Sequence, residues 1–119
     1  MTMAETNAQS NDKTEIIFSR KDEEDNNEIF VLQVNEKKVG FISINLNSGS
    51  IANIWVDEGK RKKGYGTKLV KFAETLLVSK GSMVIRTSQI NSEVVGFFKK
   101  CGYTIDEQEF GTKILSTDF

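Results

Sequence analysis

The feature that most restricts this chain is a short passage near its middle. A β-branched apolar run, residues 51–56, gives way to a basic, glycine-punctuated segment, residues 57–66, which leads without a break into residues 67–80. There Leu69, Val70, Phe72, Ala73, Leu76 and Leu77 recur at helical spacing. Strand, glycine loop and helix in that order put free backbone N–H groups and the positive end of a helix dipole beside Lys60, Arg61, Lys62, Lys63 and Lys68. The corner is built for an anion, and the rest of the fold has to present it.

Before it, the chain reads as strands. Residues 15–18 form a short edge strand and residues 19–28 a charged connection. Residues 29–34 are rich in β-formers and residues 35–38 make a turn. In residues 39–46 Gly40, Ile42, Ile44 and Leu46 share one face. Residues 47–50 turn again, and residues 51–56 complete a meander. After the helix, Gly81 is a stop and residues 83–87 form a strand. Residues 92–100 form a second helix that turns Val94, Val95, Phe97, Phe98 and Cys101 toward a core, with Lys99 and Lys100 complementing its negative end. Residues 103–109 and 112–116, joined around Phe110 and Gly111, close as a hairpin. The expected class is α/β in the α+β sense, one mixed and mostly antiparallel sheet flanked by helices. Residues 1–13 are polar and aperiodic and are expected to be a disordered tail, leaving 14–119 as a single domain.

Composition removes several alternatives. A chain of 119 residues suits one domain, burying about two thirds of its unfolded surface. No 18-residue apolar run is present, so no membrane-spanning helix is expected. The lone Cys101 cannot form a disulfide within the chain, and no signal-like segment opens it, so a cytoplasmic setting is expected. The chain has no histidine. That excludes Ser/His/Asp triads and Cys/His dyads, and it removes the imidazole ligands of most zinc and iron sites, so no metal is expected. The net charge of −1 hides an acidic start, since residues 1–28 carry eight acids against three bases, and a basic remainder. The basic stretch from Lys60 to Lys71 reads by itself as an anion site or a nucleic-acid patch.

Two phosphate loops fail on their glycines. Gly59 and Gly64 have Walker spacing, but Tyr65 and Gly66 stand where Lys and Ser/Thr are required. Gly64 and Gly66 begin a dinucleotide pattern whose third glycine falls at Leu69. What remains is Arg61, Lys62, Lys63, Gly64, Tyr65, Gly66 ahead of a helix, a match to Q/R-x-x-G-x-G. Residues 91–103, NSEVVGFFKKCGY, resemble N-x-x-A-x-x-F-Y-x-x-x-G-F at the right separation. With these two motifs the sequence resembles the GNAT superfamily of N-acetyltransferases over residues 29–116.

The resemblance implies acetyl-CoA as cofactor and acetyl transfer to a primary amine. Its pyrophosphate would sit on Arg61, Lys62, Lys63, Gly64, Tyr65, Gly66 and Thr67. Its pantetheine arm would pair with the fourth family strand through Ile54, Trp55 and Val56, with Asn91 bonding the cofactor or a bridging water. A bulge would splay the sheet there, and a main-chain N–H near Val56 would polarise the thioester carbonyl. A plain helix N-cap is the other reading of Asn91. Trp55 either lines the acceptor site or packs on a helix. Cys101 is read as a buried small hydrophobe rather than an acyl-accepting thiol.

The chain also departs from the family. Ala52 and Arg86 stand where members carry a basic glutamate, and Phe98 stands where the acidic tyrosine is usual; Tyr103 reads as core. The catalytic residues are therefore left unassigned, with Asp57, Glu58, Glu93, Ser88, Tyr65 and Thr87 as substitutes of equal standing. The two helices that the family inserts after its first strand are reduced or missing, which leaves the acceptor side open to a protein lysine or N-terminus, or to cover by a partner subunit. A homodimer remains open. The alternatives are a non-catalytic acetyl-CoA-binding module and, more weakly, a nucleic-acid binder, against which the absence of an aromatic-interleaved basic strand argues.

Overall fold

Four antiparallel strands come first because the turns between them are short. A computed structural model describes residues 12–61 and 63–115. Strand β1 (Thr14–Asp22) meets β2 (Asn27–Val34) through residues 23–26, and β2 meets β3 (Lys37–Asn45) through Asn35 and Glu36. Both of these take positive φ, 53° and 71°, a backbone hand that matches the twist of a two-residue hairpin. β4 (Ser50–Val56) completes the meander.

Helix α1 (Tyr65–Ser79) then crosses over so that β5 (Val84–Thr87) lies parallel to β4, the connection that a parallel pair requires. A 3-10 turn (Ser92–Val94) and helix α2 (Val95–Lys100) lead to β6 (Thr104–Ile105) and β7 (Gly111–Ile114). The sheet order is β1-β2-β3-β4-β5-β7-β6, the expected mixed and mostly antiparallel sheet.

One face of that sheet carries the core. Phe30, Leu32, Ile42, Ile44, Ile51 and Ile85 pack against Leu69, Val70, Ala73 and Leu77 of α1, all buried. Burying a leucine or isoleucine completely contributes about 1.5–3 kcal/mol, so this layer is the main source of stability. α2 lies beside α1 on the same face: the Phe97 ring meets the position of a Cβ on Gly66 at 3.1 Å. Tyr103 donates to Glu74 Oε2 at 2.8 Å, and Lys113 Nζ bonds Glu74 at 3.1 Å and the Cys101 carbonyl at 2.8 Å. This network ties α1, α2 and β7 together.

Several boundaries differ from expectation for local reasons. β1 runs to Asp22, so residues 19–28 are mostly strand, and no described helix stands between β1 and β2. The bulge between Phe18 and Arg20 lets the charged half of β1 stay in register with β2. The chain is already tied at Asp12 and Lys13, which bond Asn35; the rest of the expected tail, residues 1–11, lies outside the described residues. α1 begins at Tyr65 rather than Thr67. The closing hairpin turns at residues 106–110, where the Asp106 carboxylate accepts from the Gln108 and Phe110 N–H groups, and Gly111 is already strand.

Candidate functional site

β4 and β5 are paired only at Ser50–Arg86 and Ile51–Thr87. Beyond that point they diverge, and the remainder of β4 faces a gap. The bulge falls one residue later, where the register of β3 against β4 jumps from Ile44–Ile51 to Ser43–Asn53 and leaves Ala52 unpaired. An extra residue in one strand bends it and sharpens its twist, which accounts for the divergence.

The alternation of the ladder decides which backbone groups of β4 enter the gap. Asp57 N–H donates to the Val39 carbonyl at 2.8 Å. Trp55–Phe41, two residues back, therefore forms the next hydrogen-bonded pair, while Ile54–Ile42 and Val56–Gly40 are non-bonded pairs whose N–H and C=O groups point away from β3. The side-chain contacts agree. The Ile54 N–H donates to Asn53 Oδ1 at 2.9 Å, and the Val56 carbonyl accepts from Arg61 Nε at 2.9 Å. Of the three expected strand residues, Ile54 and Val56 thus turn main chain to the gap, and the Ile54 carbonyl and Val56 N–H are the groups there with no partner among the described residues. Trp55 does not: its backbone faces β3, and its side chain stacks on Phe41 at 6.2 Å on the face away from the helices.

The N-terminus of α1 stands at the same end of the sheet, past the carboxyl end of β4. Gly64 is its N-cap, at φ 84° and ψ 5°, and no side chain caps the helix. Lys68 N–H makes the first helical bond, to the Gly64 carbonyl, so the N–H groups of Tyr65, Gly66 and Thr67 lie before the ladder begins. No acid occupies the first turn. A Cβ on Gly64 would meet nothing within 4 Å, so the space beside the N-cap itself is open among the described residues.

The two glycines have different tasks. Gly64 supplies the left-handed conformation, whereas Gly66 lacks a side chain because the Phe97 ring takes the space. The second motif thus packs directly on the first. Arg61 and Lys63 are exposed beside this end, and Lys62 lies outside the described residues.

Asn91 reaches the same end of the sheet from the other strand. β5 stops at Thr87, and Ser88 N–H donates to the Ile51 carbonyl before the chain leaves the sheet toward Asn91. The Asn91 Oδ1 accepts from Glu93 N–H at 2.9 Å, so the side chain is an N-cap. Its Nδ2 has no partner among the described residues.

The acid and base positions stay empty of acid–base groups. Ala52 is the bulge residue, Arg86 is exposed, and Phe98 is 2% exposed between Phe97 and Tyr103. Tyr103 is core, as expected. Burial, then its bond to Glu74 and the charge there, hold its phenol far above the ordinary range. Cys101 is half-buried rather than fully buried; burial, then the Glu74 carboxylate, raise its thiol, which disfavours the reactive thiolate. Thr87 leaves the set of substitutes: its buried hydroxyl donates to the Ser88 carbonyl and accepts from Gly111 N–H, both at 2.8 Å. Sequence reasoning missed the Glu74–Lys113–Tyr103 network, because its members stand 29 and 39 residues apart. Among the described residues, no cluster of acids and Cys101 is arranged to hold a metal.

These residues fit coenzyme A on the structure's own terms: an uncapped helix N-terminus for a pyrophosphate and, next to it, a strand edge without a partner for an amide-bearing arm. No curated protein matches the chain. Among solved structures, a GCN5-related N-acetyltransferase from Rhodopseudomonas palustris is similar at 20% identity and a TM-score of 0.70, over 75% of this chain and 62% of that one. Tetrahymena GCN5 is similar at 18% identity and 0.67, over 78% and 71%. The PaiA N-acetyltransferase of Thermoplasma acidophilum, solved with coenzyme A, is similar at 20% and 0.64, over 72% and 59%. This chain spans about three fifths of the length of the first and third. At these identities the likeness establishes the fold. The family model of the acetyltransferase (GNAT) family matches residues 2–103, and on that match, laid over the splayed strands and the open helix end, the chain belongs to the GNAT acetyltransferases.

Proposed function

We propose that this protein transfers an acetyl group from acetyl-CoA to a primary amine on a polypeptide. The observation that carries the reading is the junction of two backbone features, the N–H groups of Tyr65, Gly66 and Thr67 ahead of the helical ladder and the β4 edge at Ile54 and Val56, which no described strand pairs. In this reading Arg61, Lys62 and Lys63 add charge at the pyrophosphate, Ile54 and Val56 hold the pantetheine amides, and Asn91 Nδ2 donates to the cofactor or to a bridging water. Acetyl-CoA supplies the activated acetyl thioester, and the Val56 N–H supplies a preorganised dipole at its carbonyl, since the Ile54 N–H is taken by Asn53 Oδ1. A donor of that kind commonly contributes about 2.7–4 kcal/mol. The domain is assigned to residues 14–119 and the setting to the cytoplasm, in keeping with a chain in which no described helix is long and apolar enough to cross a membrane.

The missing base narrows the acceptor. With Ala52, Arg86 and Phe98 at the usual positions, the site favours an amine that is already neutral. At pH 7.5 an α-amino group is about one third neutral, whereas a lysine is neutral about once in a thousand. An N-terminus is therefore the preferred acceptor over a lysine. The test is thiol release from acetyl-CoA with matched peptides, one with a free N-terminus and blocked lysine, the other reversed, between pH 7 and 9.5. The reading expects the first to react faster at pH 7.5 and the second to gain about tenfold per pH unit. Equal rates at neutral pH would contradict it, as would reaction with free polyamines alone.

A second reading has its own observation. Because Phe98 is buried and Ala52 is a bulge, the chain could bind acetyl-CoA without turnover, as a regulatory module; saturable binding with no thiol release to any amine would select it. The nucleic-acid reading requires binding that falls steeply with salt.

A further inference from the structure

From the face of the sheet that no described element covers we infer that this protein self-associates, a second copy packing its β1–β4 face on the first. The inference is independent of the cofactor reading. Both helices lie on the core face, and the turn at residues 23–26 leaves no described element over the other. Cross-strand pairing lines up Ile17, Val31, Phe41 and Trp55 there as a continuous band across four strands. Ile17 and Trp55 are each 42% exposed. A solvated sheet face normally carries polar residues at such positions.

The occupant follows from the charges beside the band. The bulge at Ser19 returns Arg20 to the face of Glu15 and Ile17, which simple alternation would not do. Glu15 flanks Ile17 on one side of the band and Arg20 on the other, and both are exposed. A two-fold axis running along the band reverses the strands, so Glu15 of each copy meets the partner's Arg20 while the four apolar side chains meet their equivalents. One patch then serves both copies, as two-fold contacts require. A two-fold along the strands would instead set Arg20 near Asn53 and form neither ion pair. Two stacked sheets sit about 10 Å apart with their strands about 30° off parallel, a geometry the twisted face can adopt. The band and its flanking rows span on the order of 300 Å² in projection, below the ~800 Å² per partner of a standard interface, so the dimer is weak and reversible.

Sedimentation velocity from about 5 to about 300 µM tests this. The expected result is a shift from monomer to dimer with concentration. Ile17→Lys and Phe41→Ser, each checked for unchanged folding by circular dichroism, are expected to weaken it at least about tenfold. Ile17→Lys, at an exposed edge-strand position, decides the matter if Phe41→Ser disturbs folding. Glu15→Arg or Arg20→Glu alone is expected to weaken it about fivefold, and the double reversal to restore it. A monomer throughout the range, or a dimer indifferent to Ile17→Lys, overturns the inference. Single reversals that the double does not rescue overturn the arrangement along the band.

Discussion

The two sides of the gap between β4 and β5 are built from different materials. The proposed cofactor side is made of backbone: the Ile54 and Val56 edge and the first turn of α1, set by a bulge and by one glycine at positive φ. On the proposed acceptor side, where family members rely on side chains, Ala52, Arg86 and Phe98 supply neither acid nor base. A backbone site tolerates a change of side chain as long as the fold holds. A side-chain site does not, so a chain can retain the first while departing from the second.

That contrast can be broken from either side. The largest effect is expected from Gly64→Glu, which puts a β-carbon at φ 84° and a carboxylate where a pyrophosphate would sit. Affinity for acetyl-CoA should fall about a hundredfold or more, measured by calorimetry, while the strain at this φ lowers the melting temperature by only a few degrees and leaves the protein folded. Arg86→Glu works in the other direction. It returns a carboxylate to the fifth strand and should raise the rate of thiol release about tenfold at pH 7.5, and more for lysine than for N-terminal acceptors. No gain would mean that the acceptor side is organised around other groups.

Gly66→Ala tests the seam between the two motifs. The new methyl would meet the Phe97 ring at 3.1 Å, so a loss of about 1 kcal/mol in urea unfolding is expected, with cofactor affinity reduced only a few-fold. The smallest effect concerns Tyr103. Its folded-state pKa lies above the unfolded value of about 10, so the stability it contributes is complete below pH 10 and is lost as pH rises beyond it. Tyr103→Phe should flatten the decline in melting temperature between about pH 9.5 and 11.

How much of this was legible follows the same division. The strand–loop–helix corner, the crossover and the sheet class could be read from periodicity and glycine spacing, because those features are local. The length of β1 could not, since its charged half is held by pairing with β2 around a bulge rather than by its own propensity. The roles of Gly64 and Gly66 looked alike in sequence and differ in space, where Phe97 approaches only the second. Trp55 illustrates the limit: a one-residue alternation sends its backbone to β3 and its ring to the uncovered face, while its neighbours Ile54 and Val56 face the gap. The Glu74–Lys113 pair, with side chains 14% and 26% exposed, joins elements that no local pattern connects.

The most direct test of the account is calorimetric titration of the protein with acetyl-CoA, with thiol release followed in the same sample after an N-terminal peptide is added. The account predicts one saturable site per chain and thiol release that requires the peptide. Well-folded protein that binds no acetyl-CoA would contradict it.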